Sequence, residues 1–225
     1  MILEKLMAVK KVAGKKSAKR DAETQKPMSS ALDRIIDAGL EEVSLSGWRN
    51  TTLGAIASRA GVDLGEALSL VPTKAHFVLR LLDRLDALTT DDVRNLEGDS
   101  SARDRLFEIL MRRFDALNEH RDGARSVITG VMCDPWAASL VVYRLHCSLS
   151  VMLTVAGVSP DGFRGALRIK GLAAVGAYAL RAWIKDDSSD LAKTMAALDR
   201  ALAQAERLAR FSLFGSREQT GDAAI

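Results

Sequence analysis

The sequence predicts an all-α protein. Only four prolines interrupt 225 residues, while alanine and leucine are abundant and 48% of the chain is hydrophobic. Apolar residues recur three and four positions apart, the spacing of one helix face. Serine, threonine and aspartate precede many of these stripes at the positions where helix caps belong.

The elements follow in order. Residues 1–28 have no regular apolar stripe and read as a basic, disordered tail with Pro27 near its end. A first helix starts at Ser29 or Ser30, where Ser30 and Asp33 form a capping-box pair. It carries Leu32, Ile35, Ile36, Leu40 and Val43 on one face and stops at Gly47. Thr51 or Thr52 caps a short second helix, and Gly61 makes the turn into a third over 63–70. Leu64, Ala67, Leu68 and Val71 are expected to pack this third helix. Pro72 and Thr73 start a fourth, with Val78, Leu81, Leu82 and Leu85 as its stripe.

NLEGDSS (95–101) reads as a linker, and Ser101 with Asp104 caps the fifth helix. A sixth spans 121–132. The seventh, 136–156, is apolar nearly all round and is expected at the centre of the fold. The eighth, 161–185, is rich in glycine and alanine, and the ninth runs to 214. The expected organisation is a tail (1–28), a helical head (29–96), a helical body (97–214) and a disordered end (215–225).

Composition narrows the function. Cys133 and Cys147 have no second pair, so neither a disulfide framework nor a metal site is expected. His76, His120 and His146 lack metal-ligand spacing. No nucleophile motif, phosphate loop or dinucleotide fingerprint occurs, so neither an enzyme nor a cofactor is expected. No secretory signal is visible and the arginine-poor start is unlike a transit peptide, which points to the cytoplasm. The net charge of +3 is uneven: residues 1–26 hold eight bases and three acids. That arm, including Lys15, Lys16, Lys19 and Arg20, suits a solvating tail, or contact with nucleic acid or anionic lipid.

The stretch GWRNTTLGAIASRAGV, followed by PTKAHF, resembles the DNA-binding domain of the TetR family of bacterial regulators. The match covers about residues 30–88. Gly47-Trp48, Thr51-Thr52, Ile56-Ala57, Ala60-Gly61-Val62 and Lys74 carry it. The resemblance implies a nine-helix fold with a three-helix head, a homodimer, and a third helix in the major groove. It makes Thr52, Lys74 and Thr51 phosphate contacts, and it places Leu64, Gly65 and Ser69 at the groove. The third helix departs from the family pattern, which has a serine, a Leu-Tyr pair and an aromatic. Asp63, Ala67-Leu68 and Val71 stand there instead. Ser69 is its one base-reading side chain, and residues 27–88 hold eight acids against six bases.

The C-terminal half resembles a different relative of the same fold, the lipid-binding accessory protein of ubiquinone biosynthesis. Lys170, Ala173-Ala174-Val175, Trp183, Asp187, Ser188, Asp190, Thr194 and Leu198-Asp199-Arg200 carry that match. It implies an apolar pocket for a lipid, a partner hydroxylase and a membrane-touching C-terminal helix. Met111, Phe114, Leu145, Leu149, Met152, Leu153 and Trp183 are the candidate lining of such a pocket, or an ordinary core. Leu202, Ala205, Leu208, Ala209 and Leu213, flanked by Arg207, Arg210 and Arg217, form an amphipathic stripe. It suits a membrane surface or a dimer bundle equally. Two functions therefore compete: a DNA-binding regulator with an apolar ligand, and a lipid-binding accessory protein that does not bind DNA.

Overall fold

The computed structural model describes residues 30–93, 100–188 and 190–214, with side chains placed outside 89–93 and 210–214. The basic tail, the linker at 95–99, the C-terminal end, and the Arg210, Leu213 and Arg217 side chains lie outside this description. Within it, nine helices follow one another: α1 (Ala31–Asn50), α2 (Leu53–Ala60), α3 (Leu64–Leu70), α4 (Lys74–Val93), α5 (Ala102–Glu119), α6 (Arg121–Val131), α7 (Pro135–Val155), α8 (Gly162–Ile184) and α9 (Ala192–Phe214).

The caps form where local chemistry places them. Ser30 Oγ accepts from the Asp33 amide at 3.1 Å, while the Ser30 amide donates to the Asp33 carboxylate. Ser101 repeats the arrangement with the Asp104 amide at 3.2 Å. As expected, regular helical geometry in α1 breaks at Gly47. This residue kinks the helix at φ 76°, a conformation open to glycine, and the chain continues to Asn50. The kink turns Trp48 into the core, 7% exposed.

Thr52 caps α2 by accepting from the Ala55 amide at 3.2 Å. Gly61 at φ 62° ends that helix in the left-handed conformation. The Asp63 carboxylate then accepts from the Gly65 amide at 2.8 Å and starts α3. Only Ala67 and Val71 of the expected packing set are buried there. Leu64 and Leu68 are 49% and 41% exposed, because a seven-residue helix offers one inner ridge and Ala67 and Val71 fill it.

The head helix α1 packs along α6 at very close range. A Cβ on Gly123 would lie 2.1 Å from the Leu40 carbonyl oxygen, and one on Gly130 2.4 Å from the Trp48 side chain. α4 packs on α7, and α8 on α9. One continuous core joins Ile35, Phe77 and Leu85 to Ile109, Met152, Trp183 and Leu198.

α7 corrects the expected centre. Its most apolar 18-residue window has a mean hydropathy of 1.5, yet only 22% of that window is buried. Ala137, Ser148, Leu149, Met152 and Leu153 face inward, while Trp136 and Tyr143 are 73% and 72% exposed. α7 lies on the flank of α4, so Trp136, Val142, Tyr143 and Val151 stay outside.

The α8–α9 turn is organised by a buried carboxylate. Asp186 accepts from the Thr194 amide at 2.8 Å, the Thr194 hydroxyl at 2.7 Å, and both the amide and hydroxyl of Ser188. Burial opposes its charge, but these hydrogen bonds prevail and hold its pKa far below the usual carboxylate range. Asp187, the aspartate picked out by the C-terminal resemblance, is exposed instead and lies 3.7 Å from Arg121.

Candidate nucleic-acid interface and its junction with the body

The outer face of α3 consists of Leu64, Gly65, Glu66, Leu68 and Ser69, all exposed. Glu66 is the one charge on it. The Ser69 hydroxyl donates to the Glu66 carbonyl at 2.7 Å, which leaves its oxygen lone pairs outward. Thr52 is exposed at the start of α2. Thr51 is 3% exposed, and its hydroxyl donates to the Gly47 carbonyl at 2.9 Å. It thus secures the end of α1 from inside the head.

Most head cations are engaged. Arg59 pairs with Glu42 at 2.7 Å, Arg84 with Asp37 at 2.5 Å, and Arg80 with Asp83 at 3.3 Å. Lys74 folds back on the end of α1, donating to the Trp48 carbonyl and to that of Arg49 at 3.4 Å. Its ammonium sits 4.7 Å from the centre of the Trp48 ring. Burial pushes its pKa down, partly opposed by the charge of Asp134. Among the described residues, Arg34 and Arg49 are the exposed head cations with no ion pair.

The head joins the body through a cluster of charges that sequence reading missed. Asp86, on α4, accepts from Arg113 of α5 and from Arg144 of α7 at 2.6 Å. The Ser148 hydroxyl donates to the same carboxylate and accepts from Arg113 at 3.0 Å. Arg144 also donates to Asp83 at 2.8 Å. Burial opposes the Asp86 charge. The Ser148 hydrogen bond and the Arg113 guanidinium outweigh it, with Arg144 adding, and hold the carboxyl below its usual pKa. Arg113 is 8% exposed. Its partners lie 27 and 35 positions away, so no local spacing announced them.

The candidate ligand residues converge in the body. Met111, Phe114, Leu149, Met152, Leu153 and Trp183 belong to one buried core, whereas Leu145 is 36% exposed. Phe114 stacks on Trp183 with centroids 6.5 Å apart, and the Arg121 guanidinium lies 5.3 Å from the Trp183 ring. The Trp183 indole N–H is buried without a hydrogen-bond partner. Two surface cavities lie elsewhere, one at the head–body junction and one between α5 and α9. Among the described residues no cluster of histidine, cysteine and carboxylate side chains is suited to a metal ion.

A three-helix head with an exposed third helix, carried on a helical body by a long fourth helix, is the fold of TetR-family transcriptional regulators. A TetR transcriptional regulator from Nitrosomonas europaea ATCC 19718 superimposes with a TM-score of 0.66 at 21% identity, over 79% of this chain and 99% of that one. A TetR regulator from Rhodococcus sp. RHA1 gives 0.59 at 16% identity, over 78% and 95%. The regulator FadR from Bacillus subtilis, solved in complex with stearoyl-CoA, gives 0.54 at 15% identity, over 75% and 96%. No family model and no curated protein matches the sequence.

Proposed function

We propose that this chain is a ligand-responsive DNA-binding regulator built as a homodimer. The observation that carries the reading is the Asp86 cluster, which binds the head helix α4 to both α5 and α7. A ligand that shifts α5 against α7 changes the geometry around Asp86, and α4 transmits the change to α3. The acyl-CoA ligand of the Bacillus subtilis neighbour makes an apolar acyl chain the ligand class to test first. Phe114, Met111, Leu149 and Met152 are then the wall that opens, and Trp183 Nε1 is the donor that meets a ligand oxygen.

DNA affinity on this reading comes chiefly from phosphate contacts by Thr52 and the basic tail. α3 presents Leu64, Leu68 and Ser69 to the groove, so sequence preference on this reading rests on apolar contact with thymine methyl groups and on DNA shape. The same face supports the second reading, a lipid-binding accessory protein that leaves DNA alone. Leu64 and Leu68 then form an apolar surface flanking an acid, which repels phosphate.

One experiment separates the two. DNA binding is titrated against salt for the full chain and for a chain lacking residues 1–26. A site-specific complex in both establishes the regulator. Binding that is sequence-independent and disappears with the tail leaves the accessory reading in place.

A further inference from the structure

A cavity of about 390 Å³ opens between head and body, at the low end of the range for small-molecule sites. The end of α1 and the start of α4 form its head side; the α6–α7 turn and the start of α7 form its body side. It is separate from the apolar core where the ligand of the proposed regulator would sit.

The walls have a definite chemistry. Trp48, Ala75, Pro135 and Ala137 supply apolar surface, and the Trp48 side chain is held against Gly130, where any Cβ would strike it. Lys74 uses two of its three N–H bonds on the Trp48 and Arg49 carbonyls, which leaves one donor for the cavity. Arg49 adds an exposed guanidinium with no ion pair among the described residues. Asp134 is the opposing charge, and its Oδ1 is committed to capping α7 through the Trp136 and Ala137 amides at 3.1 Å. Two cations and one carboxylate leave the cavity with a single net positive charge.

We propose that this junction cavity binds a small apolar or aromatic monocarboxylate. Its carboxylate sits on Lys74 and Arg49, and its apolar body lies against Trp48 and Pro135. A dianion is disfavoured by Asp134 and a neutral molecule leaves the Lys74 and Arg49 charges unmatched. A DNA phosphodiester carries the same charge, but it has no apolar body to set against Trp48 and the alanines. A ligand here would bridge head and body, so it would fix their relative position whether or not the core pocket is filled.

Isothermal titration of the full chain with 2-naphthoate, in the absence of DNA, tests the site. Saturable binding is expected, weakened about tenfold or more by Arg49→Glu and by Lys74→Met, the size of one charge-assisted hydrogen bond. The neutral probe 2-naphthamide should bind at least about tenfold more weakly than the acid. Arg49→Glu alters an exposed side chain, so an unchanged thermal midpoint separates lost binding from lost folding. Cys133 is exposed on the cavity rim, and its alkylation by iodoacetamide should slow when naphthoate is saturating. Absence of binding, or binding indifferent to both substitutions, overturns the proposal. So does equal affinity for naphthoate and a short random duplex with mutual displacement, which would make the cavity a phosphate contact. None of these outcomes depends on whether the chain recognises a specific operator.

Discussion

Asp86 and Arg144 are 58 residues apart in the chain and 2.6 Å apart in the fold, and that contact fastens the head's long helix to α7. With Arg113 on its other oxygen, the Asp86 carboxylate is the meeting point of three helices. Replacing Asp86 by asparagine leaves a nearly buried guanidinium short of its counter-charge. The expected cost is about 3 kcal/mol in urea unfolding, the usual penalty for breaking a buried pair from one side. A loss below about 1 kcal/mol would mean the cluster does not hold the junction.

Asp86 and Asp186 both have pKa values held below their unfolded ones. A depressed carboxyl contributes stability that is fully present above the unfolded pKa and disappears as pH falls through the folded one. Stability should therefore be flat from pH 7 down to about 5, then decline as the solution becomes more acid. Asp186→Ala should remove part of that decline and cost about 2–4 kcal/mol at pH 7, since four donors lose their acceptor. Acid titrations followed by circular dichroism, wild type beside variant, measure both effects.

Glycines at two positions predict opposite signs. Gly123→Ala drives a methyl group into the Leu40 carbonyl, so α1 and α6 must separate, at a cost of about 1–3 kcal/mol. Gly176, in the interior of α8, has open space where a Cβ would stand, with no neighbouring atom within 4 Å. Gly176→Ala should therefore stabilise by about 0.5–1 kcal/mol. Thermal unfolding of the two variants side by side checks the contrast.

For the proposed homodimer, the uncharged face of α7 is the expected pairing surface. Trp136, Leu140, Tyr143, Cys147, Ser150 and Thr154 recur at alternating spacings of four and three, the pattern by which helices pair. The exposed side of α8 mixes Phe163, Leu167 and Tyr178 with Arg164, Arg168, Lys170 and Arg181, so it is the more charged of the two surfaces. Tyr143→Arg should convert the dimer to a monomer with an unchanged helical spectrum, read by analytical ultracentrifugation at about 10 μM. An unshifted sedimentation coefficient would place the dimer contact elsewhere.

Features that depend on three or four neighbouring residues are legible in the sequence. Ser30 with Asp33, Thr52, Gly61 and Ser101 with Asp104 all cap or end helices as their local pattern predicts, because a cap is a local hydrogen bond. The role of Gly47 is half legible: the break occurs, but the helix resumes, since Trp48 gains a buried place against α6. Leucine at helical spacing reads as core, which predicts Leu64 and Leu68 inward. Only the packing of α3 on the head shows that Ala67 and Val71 occupy the inner ridge. Phe114, Met152 and Trp183 are grouped by apolar pattern alone and do meet. Leu145 does not join them, because α7 turns that position toward the surface.

By itself the sequence determined the helical class, the order of the nine described helices, their caps, and the acidic, apolar composition of the third helix. These are set by backbone capping and by the period of apolar residues, which act over a single turn. Tertiary structure alone decided which face of α7 is left outside, that Asp186 rather than Asp187 closes the α8–α9 turn, and that Lys74 folds onto α1. It also brought Asp86, Arg113, Arg144 and Ser148 together. A charge tolerates burial only where partners from other helices converge on it, and that convergence exists only once the chain is folded.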